Sequence, residues 1–434
     1  MSVVSRRLDL RRAPSTVGQR KDWRAHYNRP DSSFLNLAVG YSLSGPLDED
    51  GLSAAVDQLV GRHEALRTRV SGDGDELIQV IEPHDSAHRP RLELDIETES
   101  MSGQNWLSAM ATRPFDLSAE VPVRIGLLAK RSGDRLLAIV MHHIISDHIS
   151  FTNAIEDLSE IMTARNAQRE PDLADLRVQF PDYAAWYNDQ ERAGAFDGEF
   201  RYWQRCLVGA LEATILPIRR SASPEAATEV CPIPVSVAQL AAAARQLRTT
   251  PYIVALAMFS QALGELTGAS DQVISTATAN RPTPALRRGV GRFVNLTILR
   301  LQIPKTASLT RAVALAHEVA AGAFVNAVVP LDAVLERGLL GVPTSPIPYA
   351  NIAFQLLDEV PESLAIPGLA VRQVPMGGST IRRDLNVTVA RASGQLALHL
   401  SYRPASIDPD WISALAGAFT DRLRRLVGTL GEAA

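Results

Sequence analysis

The sequence predicts an α/β protein built from two related lobes, and three observations carry that expectation. Short aliphatic runs of strand character alternate with segments whose apolar residues recur at helical spacing. The chain has 434 residues, more than one hydrophobic core usually serves. One stretch also occurs twice. R-S-G-D-R-L-L-A-I-V-M-H-H-I-I-S-D (Arg131 to Asp147) aligns without a gap on A-S-G-Q-L-A-L-H-L-S-Y-R-P-A-S-I-D (Ala392 to Asp408). Each copy reads as a Ser-Gly turn, an apolar strand, a short loop and an aspartate opening a helix, which marks an internal repeat. Residues 1–175 and 176–434 are the expected lobes, with the polar stretch Asn166 to Leu176 as the linker.

Taken in order, an irregular start gives way to a strand over Asn36 to Ser44. The spacing of Leu52, Val56, Leu59 and Val60 predicts a helix to His63, with Asp48 near its start. Strands are expected at Leu77 to Ile81 and Arg91 to Ile96, a helix at Asn105 to Thr112, and a strand at Val123 to Leu128. The uncharged run Leu136 to Met141 reads as a buried strand. Phe151, Ala154, Ile155, Leu158, Ile161 and Met162 then mark a helix for which Ser150 or Thr152 is the expected cap. In the second half, Thr249 or Thr250 caps a helix with Pro251 in its first turn, running to Gly268. Strands at Gln272 to Ala277 and Asn295 to Ile303, a helix at Leu309 to Asn326, strands near Ala350 to Leu356 and Leu369 to Val374, and the last hairpin complete the chain.

Composition excludes several classes. A net charge of −4 gives no electrostatic reason to bind nucleic acid or an anionic membrane. The N-terminal M-S-V-V-S-R-R-L-D-L-R-R lacks the apolar core of a signal peptide, and no run reaches the roughly 18 apolar residues of a membrane span. Cys206 and Cys231 form no metal or redox spacing; each is expected to be a buried thiol in a reducing cytoplasm.

The chemistry points to Met141 to Ser150, M-H-H-I-I-S-D-H-I-S, where two histidines stand between a buried strand and a helix. Imidazole exchanges a proton near neutrality, so a histidine there suits general acid–base work. The alternative is a pair of structural histidines at a strand end. The repeat weighs against it: the second copy has Arg403 and Pro404 where the first has His142 and His143, so the turn itself does not require histidine.

These residues match a family. The chain resembles, over nearly its whole length, the condensation domains of nonribosomal peptide synthetases. M-H-H-I-I-S-D-H-I-S matches their His-His-x-x-x-Asp-Gly signature except at the last position. S-T-V-G-Q-R-K-D-W (Ser15 to Trp23) is similar to the opening Ser-x-x-Gln-x-Arg-x-Trp pattern with one extra residue before the Trp, and R-H-E-A-L-R-T (Arg62 to Thr68) matches the second motif. F-P-D-Y-A-A-W (Phe180 to Trp186), V-G-R-F-V-N (Val290 to Asn295) and V-V-P-L-D-A-V-L (Val328 to Leu335) look like three more, in family order.

The resemblance implies two chloramphenicol acetyltransferase-like lobes in a V-shaped pseudo-dimer with the active site in a tunnel between them. It implies a condensation enzyme of natural-product biosynthesis that joins an acyl group, held as a thioester on a carrier protein's phosphopantetheine arm, to an amine or alcohol. His143 is then the catalytic residue and His142 structural, with Asp147 held by Arg281 of the opposite lobe. No permanently bound cofactor or metal is implied, and no Ser-His-Asp or Cys-His spacing suggests a covalent acyl-enzyme. The expected partners are an acyl- or peptidyl-carrier protein met in trans and a small or carrier-tethered nucleophile; neither nucleic acid nor membrane is expected. A free-standing cytoplasmic monomer is expected, since no carrier, adenylation or thioesterase pattern flanks the domain in this sequence.

Two positions stay open. Asn295 either lines the tunnel or satisfies backbone groups at a strand end. His148 stands where the family has glycine, which would permit a positive φ and close passage of substrate. Its ring narrows the tunnel, binds the nucleophile, or marks a loss of catalysis; the intact His143 and Asp147 favour activity, and the first two stay open. Arg62 and Arg67 read as structural ion-pairing residues. Epimerisation and cyclisation relatives are disfavoured, because H-I-S-F-T-N lacks the Gly-x-Ser-Trp continuation of the former and the histidine pair is retained. The competing classes are an acyl-CoA-dependent O-acyltransferase of the same superfamily and an inactive carrier-recruiting platform.

Overall fold

The computed structural model describes residues 10–29, 33–210, 216–217, 226–338, 351–358, 364–376, 383–392 and 394–432. In chain order the elements begin with β1 (Arg11–Pro14), α1 (Val17–Tyr27), β2 (Asn36–Ser44), α2 (Glu49–Arg62), β3 (Thr68–Ser71) and β4 (Ile78–Ile81). There follow β5 (Leu92–Ile96), α3 (Gly103–Thr112), β6 (Val123–Ala129), β7 (Arg135–His142), α4 (His148–Asn166) and α5 (Phe180–Arg192). Next come α6 (Asp197–Leu207), β8 (Ala227–Ile233), α7 (Val237–Gln246), α8 (Pro251–Thr267), β9 (Asp271–Thr278) and β10 (Asn295–Gln302). The chain closes with α9 (Leu309–Val325), α10 (Leu331–Glu336), β11 (Ile352–Asp358), β12 (Ala370–Val374), β13 (Leu385–Ala392), β14 (Gln395–Tyr402) and α11 (Pro409–Glu432). The alternation is α/β, as the sequence predicts. No helix among the described residues is long and apolar enough to cross a membrane.

Two compact units divide the chain, and neither is contiguous. The first comprises Met1–Ala195, Ala279–Val294 and Pro361–Gly378; the second comprises Phe196–Thr278, Asn295–Val360 and Ser379–Ala434. The first division therefore falls after Ala195, beyond the expected break at residue 175. The reason lies in α5, which stays with the first unit: Asp182 pairs with Arg11, and the Asn188 amide donates to the Ser15 carbonyl. The segment carrying Arg281 also belongs to the first unit, together with Asp147, where the simple partition puts it in the other lobe.

In the first unit, the described strands form a sheet of order β12-β2-β7-β6-β5, antiparallel except for the parallel pair β5 and β6. A smaller antiparallel sheet has order β1-β4-β3. Leu137, Ala138, Ile139, Val140 and Met141 of β7 are all buried, because α3 covers β2, β6 and β7 on top of the core that Val56, Leu59 and Leu158 share with the strands. Burial of such side chains stabilises by about 1.5–3 kcal/mol each. In the second unit the sheet runs β10-β9-β11-β13-β14-β8, with β11 parallel to both of its neighbours. Both main sheets are mixed.

Helix α8 matches its sequence cues closely: the Thr250 hydroxyl accepts from the Ile253 N–H, Pro251 opens the helix, and Gly268 closes it at φ 80°. Two expectations are corrected. Residues 17–27, ahead of the first expected strand, are not irregular but form α1, capped by a reciprocal Thr16–Gln19 box. Its buried residues include Gln19, Asp22 and His26, so it shows no apolar stripe for periodicity to detect. Helix α4 begins at His148 and not near Ser150 or Thr152, because the Asp147 carboxylate accepts from the Ser150 N–H and caps it. Cys206 and Cys231 are free thiols but only partly buried.

Candidate active site

The strand β7 ends at His142, and the chain reverses over Ile144 to Ser146 before α4. The turn is closed by the His142 carbonyl, which accepts from the Ile145 N–H at 3.1 Å and from the Ser146 hydroxyl at 3.1 Å. The His142 ring is 1% exposed, and its Nδ1 accepts from the Ile144 N–H at 3.1 Å. That bond places the ring proton on Nε2 in the neutral form. Its edge-on neighbours are His26, centroids 5.2 Å apart, and Phe115 at 6.2 Å. Burial holds His26 below the ordinary histidine range.

His143 is oriented the other way. It is only part-buried, and its Nδ1 lies 2.7 Å from the Ser146 carbonyl oxygen. A carbonyl only accepts, so Nδ1 carries the proton and the lone pair of the neutral ring sits on Nε2. The His143 N–H donates to the Leu35 carbonyl at 2.8 Å, which ties the backbone to the start of β2. A ring so fixed can take a proton through Nε2.

Asp147 cannot do the same work, because its oxygens are already committed. Oδ1 accepts from the Ser150 N–H at 2.8 Å and Arg281 Nη2 at 2.9 Å; Oδ2 accepts from Arg281 Nη1 at 3.1 Å, the Phe293 N–H at 3.1 Å and the Val294 N–H at 3.0 Å. Burial alone would raise this carboxyl; the Arg281 guanidinium outweighs it and holds the group below the usual carboxylate range. Arg281 in turn lies over the Phe293 ring, 4.4 Å from its centroid. Asn280 before it takes a left-handed conformation (φ 45°), tolerable for asparagine, and its amide donates to the Tyr183 hydroxyl at 2.6 Å.

The structure thus brings His142, His143, Asp147 and Arg281 together in one unit. His148 is beside them, exposed, as the first residue of α4. It is not among the positive-φ residues, so histidine replaces the family's glycine there without backbone strain. Asn295 belongs to the second unit, where its amide donates to the Ala327 and Val328 carbonyls at 2.9 and 3.3 Å. His63 and Arg62, from the second matched motif, both bind the fully buried Asp157 carboxylate, and Arg67 is itself buried.

Sequence reasoning left several contributors without a role. The Gln19 amide donates to the Ile144 carbonyl at 3.1 Å. The Ser150 hydroxyl lies 2.7 Å from both Asp147 Oδ1 and the Gly291 carbonyl, joining the turn to the segment 279–294. Arg292 pairs with Asp22 at 2.9 Å, both side chains nearly inaccessible. A usable signal did exist for the last pair: each charge interrupts a stretch, Ser15 to Trp23 or Val290 to Asn295, already matched to the family.

A mixed α/β fold with a histidine turn held by a buried Asp–Arg pair defines the class. The Condensation domain family model matches residues 11–430, and the chain belongs to that family. It is 26% identical to one of the linear gramicidin synthase proteins of Brevibacillus parabrevis, over 98% of this chain. It is 31% identical to the isonitrile lipopeptide synthase of Mycobacterium tuberculosis, over 87% of this chain. The chain spans only 8% and 15% of the length of these two relatives. Among solved structures, the X-domain of teicoplanin biosynthesis in complex with OxyB superposes with a TM-score of 0.82 at 26% identity, covering 96% of this chain and 93% of that one.

Proposed function

We propose that this chain transfers an acyl or peptidyl group from a phosphopantetheine thioester on a carrier protein to an amine or alcohol, and that His143 accepts the nucleophile's proton. The single observation that carries this is the 2.7 Å contact of His143 Nδ1 with the Ser146 carbonyl, which leaves Nε2 as the basic atom at the family's signature position. The nucleophile's N–H or O–H bond breaks as its heavy atom attacks the thioester carbonyl. The tetrahedral adduct then collapses, the C–S bond breaks, and the proton passes to the departing pantetheine thiolate. Atoms balance without a covalent acyl-enzyme. Proton transfer of this kind contributes about 10²–10⁴-fold, and holding both reactants supplies much of the rest. In this reading Asp147 and Arg281 fix the geometry of the turn, His142 is structural, and His148 limits the size of what approaches.

A second reading is a docking platform without turnover, favoured by the likeness to an X-domain captured with a partner, OxyB. Intact-mass spectrometry of acyl-loaded carriers with candidate nucleophiles separates the two. Wild type should unload the carrier and release amide or ester. His143→Ala should keep the wild-type melting temperature and lose about two or more orders of magnitude in rate. Full activity in that variant would remove His143 from the mechanism, and carrier binding without any unloading would support the platform.

A further inference from the structure

Asp22 and Arg292 form a buried ion pair that the mechanism above does not use. Gln19, Asp22 and His26 fall at i, i+3 and i+7 of α1, so they share one face, and all three are buried. Gln19 binds the Ile144 carbonyl at one end of that face, and His26 meets the His142 ring at the other. Asp22 lies between them on that face, whose two flanking contacts, to Ile144 and His142, bracket His143 in the chain. A single segment holds both carboxylates around this turn. Arg292 Nε donates to Asp22 at 2.9 Å and its Nη1 to the Val294 carbonyl at 2.8 Å, while the Val294 N–H donates to Asp147. Room for the guanidinium comes from Gly18, where any Cβ would stand 2.0 Å from Arg292 Nη1.

We infer that Asp22 is a positioning residue for the reaction: its carboxylate stabilises the imidazolium formed on His143, and Arg292 keeps that carboxylate ionised. This rests on the proposed role of His143. Burial would raise the Asp22 carboxyl, yet Arg292 holds it well below the usual range, with His143 and Lys21 adding to the effect. Among the other charged or titratable groups around the turn, Asp147 and Arg281 compensate each other, His26 and His142 face each other, and His148 stands exposed at the start of α4. Asp22 is therefore the carboxylate on α1 that acts on His143 without being consumed by capping.

The test follows the His143 ring by NMR in the intact protein, assigned by its loss in His143→Ala, alongside the pH–rate profile of condensation. Asp22→Asn leaves the Arg292 cation facing the turn, so His143 should titrate about one pH unit lower. The acidic limb of kcat/KM should move down with it, and the plateau rate should fall roughly tenfold as the base weakens. Asp22→Glu, which keeps the charge, should retain the wild-type titration. Asp22→Asn/Arg292→Met removes both charges, guards against misfolding of the single variant, and should titrate between the two. An unchanged His143 titration in Asp22→Asn and the double variant would overturn the inference and leave a purely structural pair. The titration needs no turnover. A His143 titration that moves in Asp22→Asn, beside a wild type that unloads no carrier, would refute the proposed function alone.

Discussion

The turn after β7 and the turn after β14 are two versions of one design. Both hairpins reverse at a glycine of positive φ, Gly133 at 92° and Gly394 at 79°. Both strands run into a short turn closed by a strand-end carbonyl, His142 accepting from Ile145 and Arg403 accepting from Ser406 and Ile407. An aspartate precedes the helix in each, Asp147 before α4 and Asp408 before α11. The surroundings differ. β7 is buried on both faces, whereas β14 alternates. Asp147 is 2% exposed and holds Arg281; Asp408 is exposed and accepts from the Asp410 N–H at 3.0 Å. The skeleton therefore asks only for a helix-opening aspartate. The histidines, the buried arginine and the carboxylate's extra donors belong to the first copy.

Removing each aspartate probes that contrast most strongly. Asp147→Ala strands Arg281 and the Phe293 and Val294 amides, and should cost about 3–5 kcal/mol in urea unfolding. Asp408→Ala loses a solvated cap worth about 1 kcal/mol or less. Asp147→Ala/Arg281→Ala should cost less than the sum of its single changes. Equal losses at the two aspartates, or additivity in the cycle, would break the comparison.

His148 offers a finer test of what the first copy gained. His148→Gly should retain most activity and admit bulkier acyl groups or nucleophiles, a change of about 1–3 kcal/mol in discrimination, or roughly 10- to 200-fold. Initial rates over a panel of acyl carriers measure it. A uniform loss as severe as that of His143→Ala would make His148 a second base instead.

The glycines mark what the copies still share. A methyl group added at Gly133 or at Gly394 would meet no atom within 4 Å, so the cost of alanine there is purely conformational. Gly133→Ala and Gly394→Ala should each cost about 1–2 kcal/mol. Thermal melts showing a large difference between them would mean that the turns have diverged as well.

Much of this was legible from residues alone, for physical reasons. β2 and α8 show period and caps within a few residues of each other, and the helix-opening aspartates appear in the repeat itself. What escaped depends on partners distant in sequence or on backbone atoms. α1 hides because its buried face is polar. The Asp22–Arg292 pair joins residues 270 positions apart. The orientation of His143 depends on a carbonyl, which no side-chain pattern reveals. The placement of Arg281 in the same unit as Asp147 reflects a chain that crosses between units more than once.

The pairing of β12 with β2 has a bearing on how the protein is made. Val374 to Ala370 line up against Gly40 to Ser44, so the outer edge of β2 waits for a partner synthesised roughly 300 residues later. At typical ribosomal speeds that wait is on the order of tens of seconds. Throughout it the nascent first unit carries an open sheet edge, the kind of surface on which chains aggregate. The seam between these two distant stretches is therefore closed late, and a fragment ending at Ala195 would never close it.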